Sequence, residues 1–137
     1  MNNNMELKVK AVAENESFVR NVVASFCANE NPSVETIADV KTAVSEAISN
    51  CIVHAYKGTT GEIIVKADIT EKTLHIEISD SGVGIFDIEK ALAPNFTTAE
   101  ELERAGIGFT IMDTFMDSLK VESSTGGTNV IMTKKLA

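Results

Sequence analysis

Five stretches of the chain alternate between hydrophobic and polar residues, the period-two pattern of strands that bury one face. Short connections predict a hairpin between the second and third strands, through EKT (71–73), and another between the last two, through a TGG turn (125–127). The polar opening, residues 1–4, is expected to be frayed. The five predicted strands are ELKVKAVA (6–13), GEIIVKADIT (61–70), TLHIEIS (73–79), SLKVESS (118–124) and TNVIMTKK (128–135).

Three other segments have the three- to four-residue hydrophobic spacing of helices that bury one face. The first begins at Asn15, which we expect to be its N-cap, and ends at NENPS (29–33). The second begins after the capping residue Ser33 and extends to about Tyr56. The third is FTIMDTFMD (109–117). The apolar face of the first helix comprises Phe18, Val22 and Phe26 with Val19 and Val23 beside them, and that of the second comprises Val40, Val44, Ala47, Ile48 and Cys51.

The order of these elements predicts a single α+β domain over residues 1–137. A strand, two helices, two strands, a loop with a short helix (87–93), a third helix and two closing strands form one sheet with helices on one face. We expect a two-layer α/β sandwich whose sheet is mixed and mostly antiparallel. The length of the chain suits one hydrophobic core.

Composition narrows the choice of partners and compartments. The formal net charge of −8 argues against nucleic acid or an anionic membrane as the main partner. The sequence has no apolar run of the ~18 residues needed to span a membrane and no signal-peptide pattern, so we expect a cytoplasmic protein. Cys27 and Cys51 have apolar helical neighbours and no metal-ligand spacing, which indicates buried thiols.

Glu46, Asn50 and His54 lie four residues apart on the second predicted helix and therefore share one side of it. This polar line adjoins the apolar face, and two interpretations fit it. The line is either a solvated flank of the helix, or a carboxylate and an amide oxygen presented together. In the second case the amide oxygen suits Mg²⁺, and the carboxylate can accept a proton from a hydroxyl that attacks a phosphate.

Three glycine-containing segments are either simple turns or contacts for a nucleotide. DSGVG (80–84) follows a strand, where Asp80 either orients its own turn or accepts a hydrogen bond from an amino group such as that of adenine. AGIGFT (105–110) precedes the third helix, and glycines before a helix start leave backbone N–H groups for an anion. STGGT (124–128) is by itself a hairpin turn. The sequence contains no P-loop and no Rossmann glycine pattern.

The succession of these segments is more specific than any one of them. Together they resemble the N, G1, G2 and G3 boxes of the ATP-binding superfamily that includes gyrase B, Hsp90, sensor histidine kinases and MutL. The resemblance spans roughly residues 35–135 and implies the Bergerat-type ATP-binding fold. The matching patterns are ExxxNxxxHxY (46–56), DxGxG (80–84), GxG (106–108) and GGT (126–128).

Two longer stretches are similar to a narrower family, the anti-sigma F factors of endospore-forming bacteria. They are SEAISNCIVHAYKG (45–58) and NFTTAEELERAGIGFTIMDTFMD (95–117). The family resemblance implies that Glu46 is the general base and that Asn50 holds Mg²⁺. His54 either supports this site or is an ordinary histidine. Cys51 departs from the pattern, since alanine is usual at that position of the N box.

The resemblance also implies how the other boxes bind ATP. Asp80 would accept a hydrogen bond from the adenine amino group, and Thr128 would support the adenine end. Residues 87–105 would form the ATP lid. The other implied contacts are Gly82 and Gly84 beside the nucleotide, Gly106 and Gly108 at the phosphates, and Arg104 as a contact of a phosphate or of a partner.

The implied function is that of an anti-sigma factor with kinase activity. The chain would bind and inhibit a sporulation sigma factor, sigma F, and would phosphorylate a serine of its anti-anti-sigma antagonist with Mg·ATP. It would act as a homodimer. Arg20, expected to be exposed opposite Phe18 and Val22, is either part of a partner surface or part of a solvated face.

Three alternatives stay open. The chain could be a related general-stress regulator with other partners, or a switch that binds ATP and sigma without phosphate transfer. The third alternative is the catalytic module of a histidine kinase, which the absence of dimerisation helices and a phospho-acceptor domain disfavours.

Overall fold

A computed structural model describes residues 2–55, 61–81, 100–124 and 126–137 of the chain. Within these ranges it contains five strands, three α-helices and one π-helical turn. Their bounds are β1 (Asn3–Lys10), α1 (Glu14–Ala28), α2 (Val34–Asn50), the π turn (Cys51–Ala55), β2 (Glu62–Thr70), β3 (Thr73–Asp80), α3 (Glu100–Phe115), β4 (Ser118–Ser124) and β5 (Gly127–Lys135).

The strands form one sheet in the order β1-β2-β3-β5-β4. All four pairings between the described strands are antiparallel, so the expectation of a mixed sheet is wrong for this part of the chain. The β2–β3 hairpin turns through Glu71 and Lys72, whose φ values of 51° and 61° suit a primed two-residue turn. Because β3 pairs with β5, Asp80 lies directly opposite Thr128 at the end of the sheet.

One face of the sheet is apolar and lies beneath the helices, which confirms the predicted two-layer α+β sandwich. The strands contribute the fully buried Val65 and Ile78, α2 contributes Val44 and Ile48, and α3 contributes Phe109. Each such side chain stabilises the fold by about 1.5–3 kcal/mol through the apolar surface it removes from water. The core therefore fixes α2 and α3 against each other and against the sheet.

The start of α1 differs from the prediction. The helix begins at Glu14 after Ala13, and no side chain caps it. The side chain of Asn15 instead donates a 2.8 Å hydrogen bond to the backbone oxygen of Lys10. Asn15 therefore ties the helix to the preceding strand, and its prediction as the N-cap is wrong.

The buried face of α1 is also displaced from the predicted one. Val19 and Val23 are fully buried and Cys27 follows them, whereas Phe18 is 48% exposed and Val22 is only partly buried. A shift by one residue turns a helix by about 100°. The valine line packs towards α2, and the phenylalanine faces outward.

Helix α2 begins as predicted and ends differently. The Ser33 hydroxyl accepts a 3.1 Å hydrogen bond from the backbone N–H of Thr36, which confirms the predicted cap. The α-helical pattern stops at Asn50 and is replaced by the π turn over Cys51–Ala55, so the α-helix does not continue to about Tyr56 as expected. Tyr56 itself lies outside the described residues. π turns are frequent at functional sites because they change the direction of the side chains.

Strand β1 starts earlier and ends earlier than predicted. Asn3 pairs with Ile69 and Asn4 with Asp68, so these residues are not frayed. β1 ends at Lys10, three residues before the predicted end. Backbone pairing with β2 explains the early start, since it requires no apolar side chain.

Helix α3 is longer than the predicted segment. It runs over Glu100–Phe115, and Gly106 and Gly108 therefore lie inside it. The predicted short helix (87–93) falls outside the described residues, as does the predicted lid up to residue 99, whereas residues 100–105 form the beginning of α3. None of the helices in the described ranges combines the length and apolar character that a membrane span requires.

Candidate functional site

Glu46, Asn50 and Gly108 meet where α2 packs against α3. Glu46 and Asn50 lie one turn apart on α2, as their spacing predicts. A Cβ atom added to Gly108 would lie 3.0 Å from Nδ2 and 3.2 Å from Oδ1 of Asn50, and 3.3 Å from Oε2 of Glu46. The missing side chain of Gly108 is therefore what allows α3 to approach both polar groups.

The side-chain amide of Asn50 is poised for a partner. Its Nδ2 atom is buried and forms no hydrogen bond within the described part of the chain. Buried polar groups are nearly always hydrogen-bonded, and an unpaired one is destabilising by about 1–3 kcal/mol. An acceptor such as a phosphate oxygen would satisfy this donor.

The carboxyl group of Glu46 has a raised pKa. Burial is the main cause, and the negative charge of Glu16 on α1 adds to it. The Arg20 guanidinium lies beside this pair, donating hydrogen bonds to Glu16 Oε1 at 3.1 Å and to Ser45 Oγ at 3.2 Å. Arg20 is therefore half-buried and ion-paired, and the expectation of a freely exposed Arg20 is wrong because α2 supplies it with a partner.

A groove of about 450 Å³ opens beside Glu46 between α1 and α2. Two cationic side chains, Arg20 and Lys41, line it together with the hydroxyl groups of Thr42 and Ser45. Glu46 can thus be reached from this groove as well as from the side of Asn50. The other residue that lines the groove is Ala38.

Asp80 and Thr128 form a second cluster at the end of β3 and β5. The backbone N–H of Thr128 donates a 3.3 Å hydrogen bond to Oδ1 of Asp80. The buried Thr128 hydroxyl lies 3.0 Å from the hydroxyl of Ser123 on β4. Three neighbouring strands therefore hold these groups in a fixed arrangement.

Gly127 allows β5 to approach Asp80. Its φ is +141°, and a Cβ atom at this position would overlap the backbone oxygen of Asp80. A cavity of about 500 Å³ opens at this end of the sheet. Its lining residues are Ser79, Asp80, Glu122, Ser123, Gly126, Gly127, Thr128 and Asn129.

Cys51, the residue after Asn50, connects the two clusters. Its thiol is buried in the π turn, close enough to Asp80 for that carboxylate to influence its ionisation. Burial, followed by the charge of Asp80, raises the pKa of this thiol well above its usual value. Burial also raises the pKa of Cys27 to about 12. Both cysteines are free, as the sequence indicated.

The predicted site residues divide into those that the structure brings together and those it does not describe. Glu46, Asn50 and Gly108 form one cluster, and Asp80 and Thr128 form the other. Four predicted residues cannot be placed in this way. Gly82 and Gly84 lie outside the described residues, and the side chains of His54 and Arg104 are not described.

The expectation that Gly106 and Gly108 precede a helix start is wrong in this structure. Both lie beyond the first four residues of α3, which are the ones whose N–H groups lack a partner in the helix. Two residues of the site were not proposed from the sequence. They are Gly127, which the sequence offered only as part of the GGT pattern and whose role its positive φ and its close approach to Asp80 reveal, and Ser123, for which the sequence carried no signal.

The residues present in the cluster of Glu46, Asn50 and Gly108 fit Mg²⁺ bound with a nucleotide. Among the described residues, no three His, Cys, Asp or Glu side chains group together as metal ligands. Mg²⁺ usually takes one or two protein oxygens and completes its coordination with phosphates and water. The Asn50 amide offers one such oxygen, and its buried Nδ2 lacks an acceptor within the described residues.

Comparisons with known proteins show the family of this chain. The family described as histidine kinase-like ATPase domain matches residues 9–134. The anti-sigma F factor of Caldanaerobacter subterraneus subsp. tengcongensis is 57% identical over 97% of this chain and 94% of its own length. The anti-sigma F factor of Clostridium acetobutylicum is 51% identical over 100% of this chain and 96% of its own.

A solved structure supports the fold. The crystal structure of the RsbU and RsbW domains of a Mycobacterium tuberculosis protein matches with a TM-score of 0.72 over 98% of this chain, at 18% identity. This chain spans 32% of that longer polypeptide. The sequence and structural comparisons confirm both resemblances predicted from the sequence. The chain belongs to the family of histidine kinase-like ATPase domains and, within it, to the anti-sigma F factors.

Proposed function

We propose that this protein inhibits a sigma factor of the sigma F type and phosphorylates a serine of an anti-anti-sigma protein with Mg·ATP. The observation that carries the kinase assignment is the contact of Gly108 with both Glu46 and Asn50. It joins a carboxylate of raised pKa to a buried amide whose donor lacks a partner among the described residues. Phosphoryl transfer requires a base and a phosphate anchor in such proximity.

The cluster of Asp80 and Thr128 at the end of β3 and β5, here called the adenine end, would bind the base of ATP. Asp80 accepts a hydrogen bond from the amino group of adenine, and the buried Thr128 supports Asp80 through its backbone N–H. Gly82 and Gly84 are proposed to let the nucleotide approach the backbone. The hydrogen bonds among Asp80, Thr128 and Ser123 support this role because they hold the carboxylate in place before ATP binds.

The cluster of Glu46, Asn50 and Gly108 between α2 and α3, here called the phosphate end, would hold the triphosphate. Asn50 supplies an amide oxygen to Mg²⁺, which would neutralise charge on the phosphate oxygens. Gly108, Gly106 and Arg104 are proposed to contact the phosphates, with residues 87–105 as a lid over them. For the glycines to offer free N–H groups, the helix of the ATP-bound protein would have to begin nearer Gly106 than α3 does here.

Glu46 would accept the proton of the attacking serine hydroxyl. Its raised pKa suits this task, since a base works best when its pKa is closer to the operating pH than that of an exposed carboxylate. The groove beside Glu46 gives the acceptor a route to the base. Arg20 and Lys41, which line the groove, favour an acceptor segment or a partner surface that carries acidic side chains.

An exchange of binding partners, between the sigma factor and the anti-anti-sigma protein, would follow from this chemistry. The complex with the sigma factor forms in the ATP-bound state and keeps sigma from RNA polymerase. The unphosphorylated antagonist displaces sigma, and its phosphorylation releases it from the protein. We propose that the protein acts as a homodimer in the cytoplasm. The similarity to proteins named anti-sigma F factor supports these assignments.

Transfer of labelled phosphate tests the proposal. The purified chain is incubated with γ-labelled Mg·ATP, alone and with each small anti-anti-sigma protein of the same genome. We expect label on a serine of one sporulation-type candidate and none with the Glu46→Gln variant. Label on a stress-pathway candidate instead would assign the general-stress alternative. ATP binding without transfer to any candidate would contradict the kinase assignment and favour the binding switch.

A further inference from the structure

Lys134 on β5 joins the two helices whose contact forms the phosphate end. Its Nζ atom donates a 2.7 Å hydrogen bond to the backbone oxygen of Phe115, the last residue of α3. The same atom donates to Oδ2 of Asp39 on α2 at 3.3 Å, and Oδ1 of Asp117 lies 4.0 Å away. One ammonium group therefore holds the end of α3 against the first half of α2.

This bridge is enclosed, and it suits the chemistry of a helix end. Only 15% of the Lys134 side chain and 22% of the Asp39 side chain are exposed, so water competes for this pair less than for a surface pair. The last carbonyl groups of a helix lack partners within it and carry partial negative charge. The last turn of α3, all of which is described, has no basic residue. Lys134 therefore supplies the complementary positive charge from the sheet.

The bridge and the phosphate end lie at matching distances along the two helices. Phe115 is seven residues after Gly108 on α3, and Asp39 is seven residues before Glu46 on α2. At a rise of about 1.5 Å per residue, each span is about 10 Å, or nearly two turns. The helices therefore run antiparallel here and are tied at two points, the bridge through Lys134 and the contact at Gly108.

We propose that Lys134 is a positioning residue for phosphate transfer, because it fixes the axial position of α3 along α2 and thereby places Gly108 beside Glu46. The inference rests on the proposed function, in which Glu46 accepts the proton of the attacking hydroxyl. The contact tolerates little movement, since even a Cβ atom at Gly108 would lie 3.0 Å from Nδ2 of Asn50. A shift of α3 would open the contact or bring a neighbouring side chain into it. Transfer is sensitive to such shifts, because a misplacement of about 1 Å can slow a reaction by about 10²-fold.

The test compares Lys134→Met, which keeps the length of the side chain but removes its donors, with Lys135→Met at the next, exposed position. Single-turnover transfer is measured at a temperature at which thermal melting shows each variant to be folded. We expect Lys134→Met to lower the transfer rate by about ten-fold and ATP affinity by less than about two-fold. Lys134→Arg keeps the charge and the donors and should stay within about three-fold of the parent rate. Lys135→Met should transfer at the parent rate.

Hydrogen exchange in the ligand-free protein gives a readout that does not depend on transfer. We expect Lys134→Met to speed amide exchange around Gly108, two turns from the bridge, more than in β2. An equal increase in α3 and β2 would assign Lys134 a role in global stability and overturn the inference. If Lys134→Met does not fold, Asp39→Asn removes only the charge of the partner. It should show the same selective exchange and lower the transfer rate by about three-fold.

Two further variants separate failure of this inference from failure of the proposed function. If Lys134→Met transfers at the parent rate while Glu46→Gln is inactive, the role of Lys134 alone is wrong. If transfer survives in Glu46→Gln, the assignment of the base is wrong, and the inference fails with it. Lys134→Met combined with Gly108→Ala should lose less than the product of the two single losses, because both changes act on one contact. Losses that multiply in full would contradict this shared mechanism.

Discussion

The two ends of the proposed nucleotide site differ in how far the protein satisfies its own polar groups. At the adenine end, Asp80 accepts a hydrogen bond from the backbone N–H of Thr128, and the Thr128 hydroxyl is within hydrogen-bonding distance of Ser123. At the phosphate end, the Asn50 amide has a buried donor with no partner within the described residues, and burial raises the pKa of Glu46. The protein's own hydrogen bonds hold the first end in place before a ligand arrives, whereas the second contains groups that a ligand would satisfy.

The fold explains this difference. The adenine end lies on three paired strands, which hold its atoms through backbone ladders. The phosphate end lies between α2 and α3, and its closeness depends on the single missing side chain of Gly108. A rigid sheet suits recognition of a flat base, while a helix interface can adjust to charged phosphates. The comparison predicts that changes at the first end affect binding of the base, and that changes at the second end affect transfer and the Mg²⁺-dependent part of ATP binding.

Glu46→Gln should have the largest effect, on transfer. Glutamine keeps the size of the side chain but cannot accept the proton, so the transfer rate should fall by about 10²- to 10⁴-fold while ATP affinity changes little. Single-turnover assays with labelled ATP measure the transfer rate, and transfer that survives in the variant would refute the assignment of the base.

The same variant should also change the pH dependence of folding. Because the folded-state pKa of Glu46 is raised, its ionisation lowers the free energy of unfolding as pH rises from the unfolded-state pKa through the folded-state pKa. The Glu46→Gln variant should therefore have a higher melting temperature than the parent at neutral pH.

Asp80→Asn should weaken ATP binding by about 10- to 100-fold. The asparagine oxygen can still accept from Thr128, but its amino group would then face the amino group of adenine. GTP, which presents an acceptor there, should lose less affinity. Asp68→Asn, an exposed change on β2, is the matched control and should bind ATP normally. Equal ATP affinity in both variants would contradict the adenine role.

Gly108→Ala should reduce transfer by about ten-fold. The new methyl group would press on the amide of Asn50 and the carboxylate of Glu46 and displace both. Alanine is a better helix former than glycine by about 1 kcal/mol, which offsets part of the cost of this crowding, and thermal melting verifies that the variant folds. Asp113→Ala on the exposed side of α3 is the control for helix propensity. Normal transfer by Gly108→Ala would show that the contact does not position the catalytic pair.

Glu16→Gln should have the smallest effect, on the pH dependence of transfer. Transfer requires ionised Glu46, so the rate should rise with pH through the pKa of that carboxyl group. Burial keeps this pKa raised, and removal of the Glu16 charge should lower it and move the acidic limb of the pH–rate profile to lower pH. The exposed Glu14→Gln change removes the same charge from α1 and should leave the limb in place. Equal profiles for the two variants would contradict the coupling of Glu16 to Glu46.

The sequence predicted most of the fold because its signals are local. Alternation predicted five strands, and the Ser33 cap was confirmed. The errors fall where backbone pairing or packing overrides side-chain pattern. Asn3 is polar yet pairs at the sheet edge, and Phe18 is apolar yet faces outward because α1 packs through a neighbouring line of residues.

The sequence indicated which residues of α2 lie together but not which residues of other elements lie against them. The four-residue spacing placed Glu46 and Asn50 together, but only the packing of α2 on α3 shows that Gly108 lies against them. A glycine pattern cannot indicate whether it precedes a helix or lies inside one. The influence of Asp80 on the pKa of Cys51 shows that a helix end lies near a strand end far away in sequence, for which no local signal exists.

The most direct test of the account is the effect of Mg²⁺ on ATP affinity in the parent protein and in Asn50→Ala, measured by titration calorimetry. If the two ends form one Mg·ATP site, Mg²⁺ should tighten ATP binding to the parent by about ten-fold or more, and this gain should be lost in the variant. Binding without Mg²⁺ depends mainly on the adenine end and should fall less in the variant, through the loss of the Asn50 Nδ2 donor alone. A gain of equal size in both would show that Asn50 does not hold the metal, and would contradict the account.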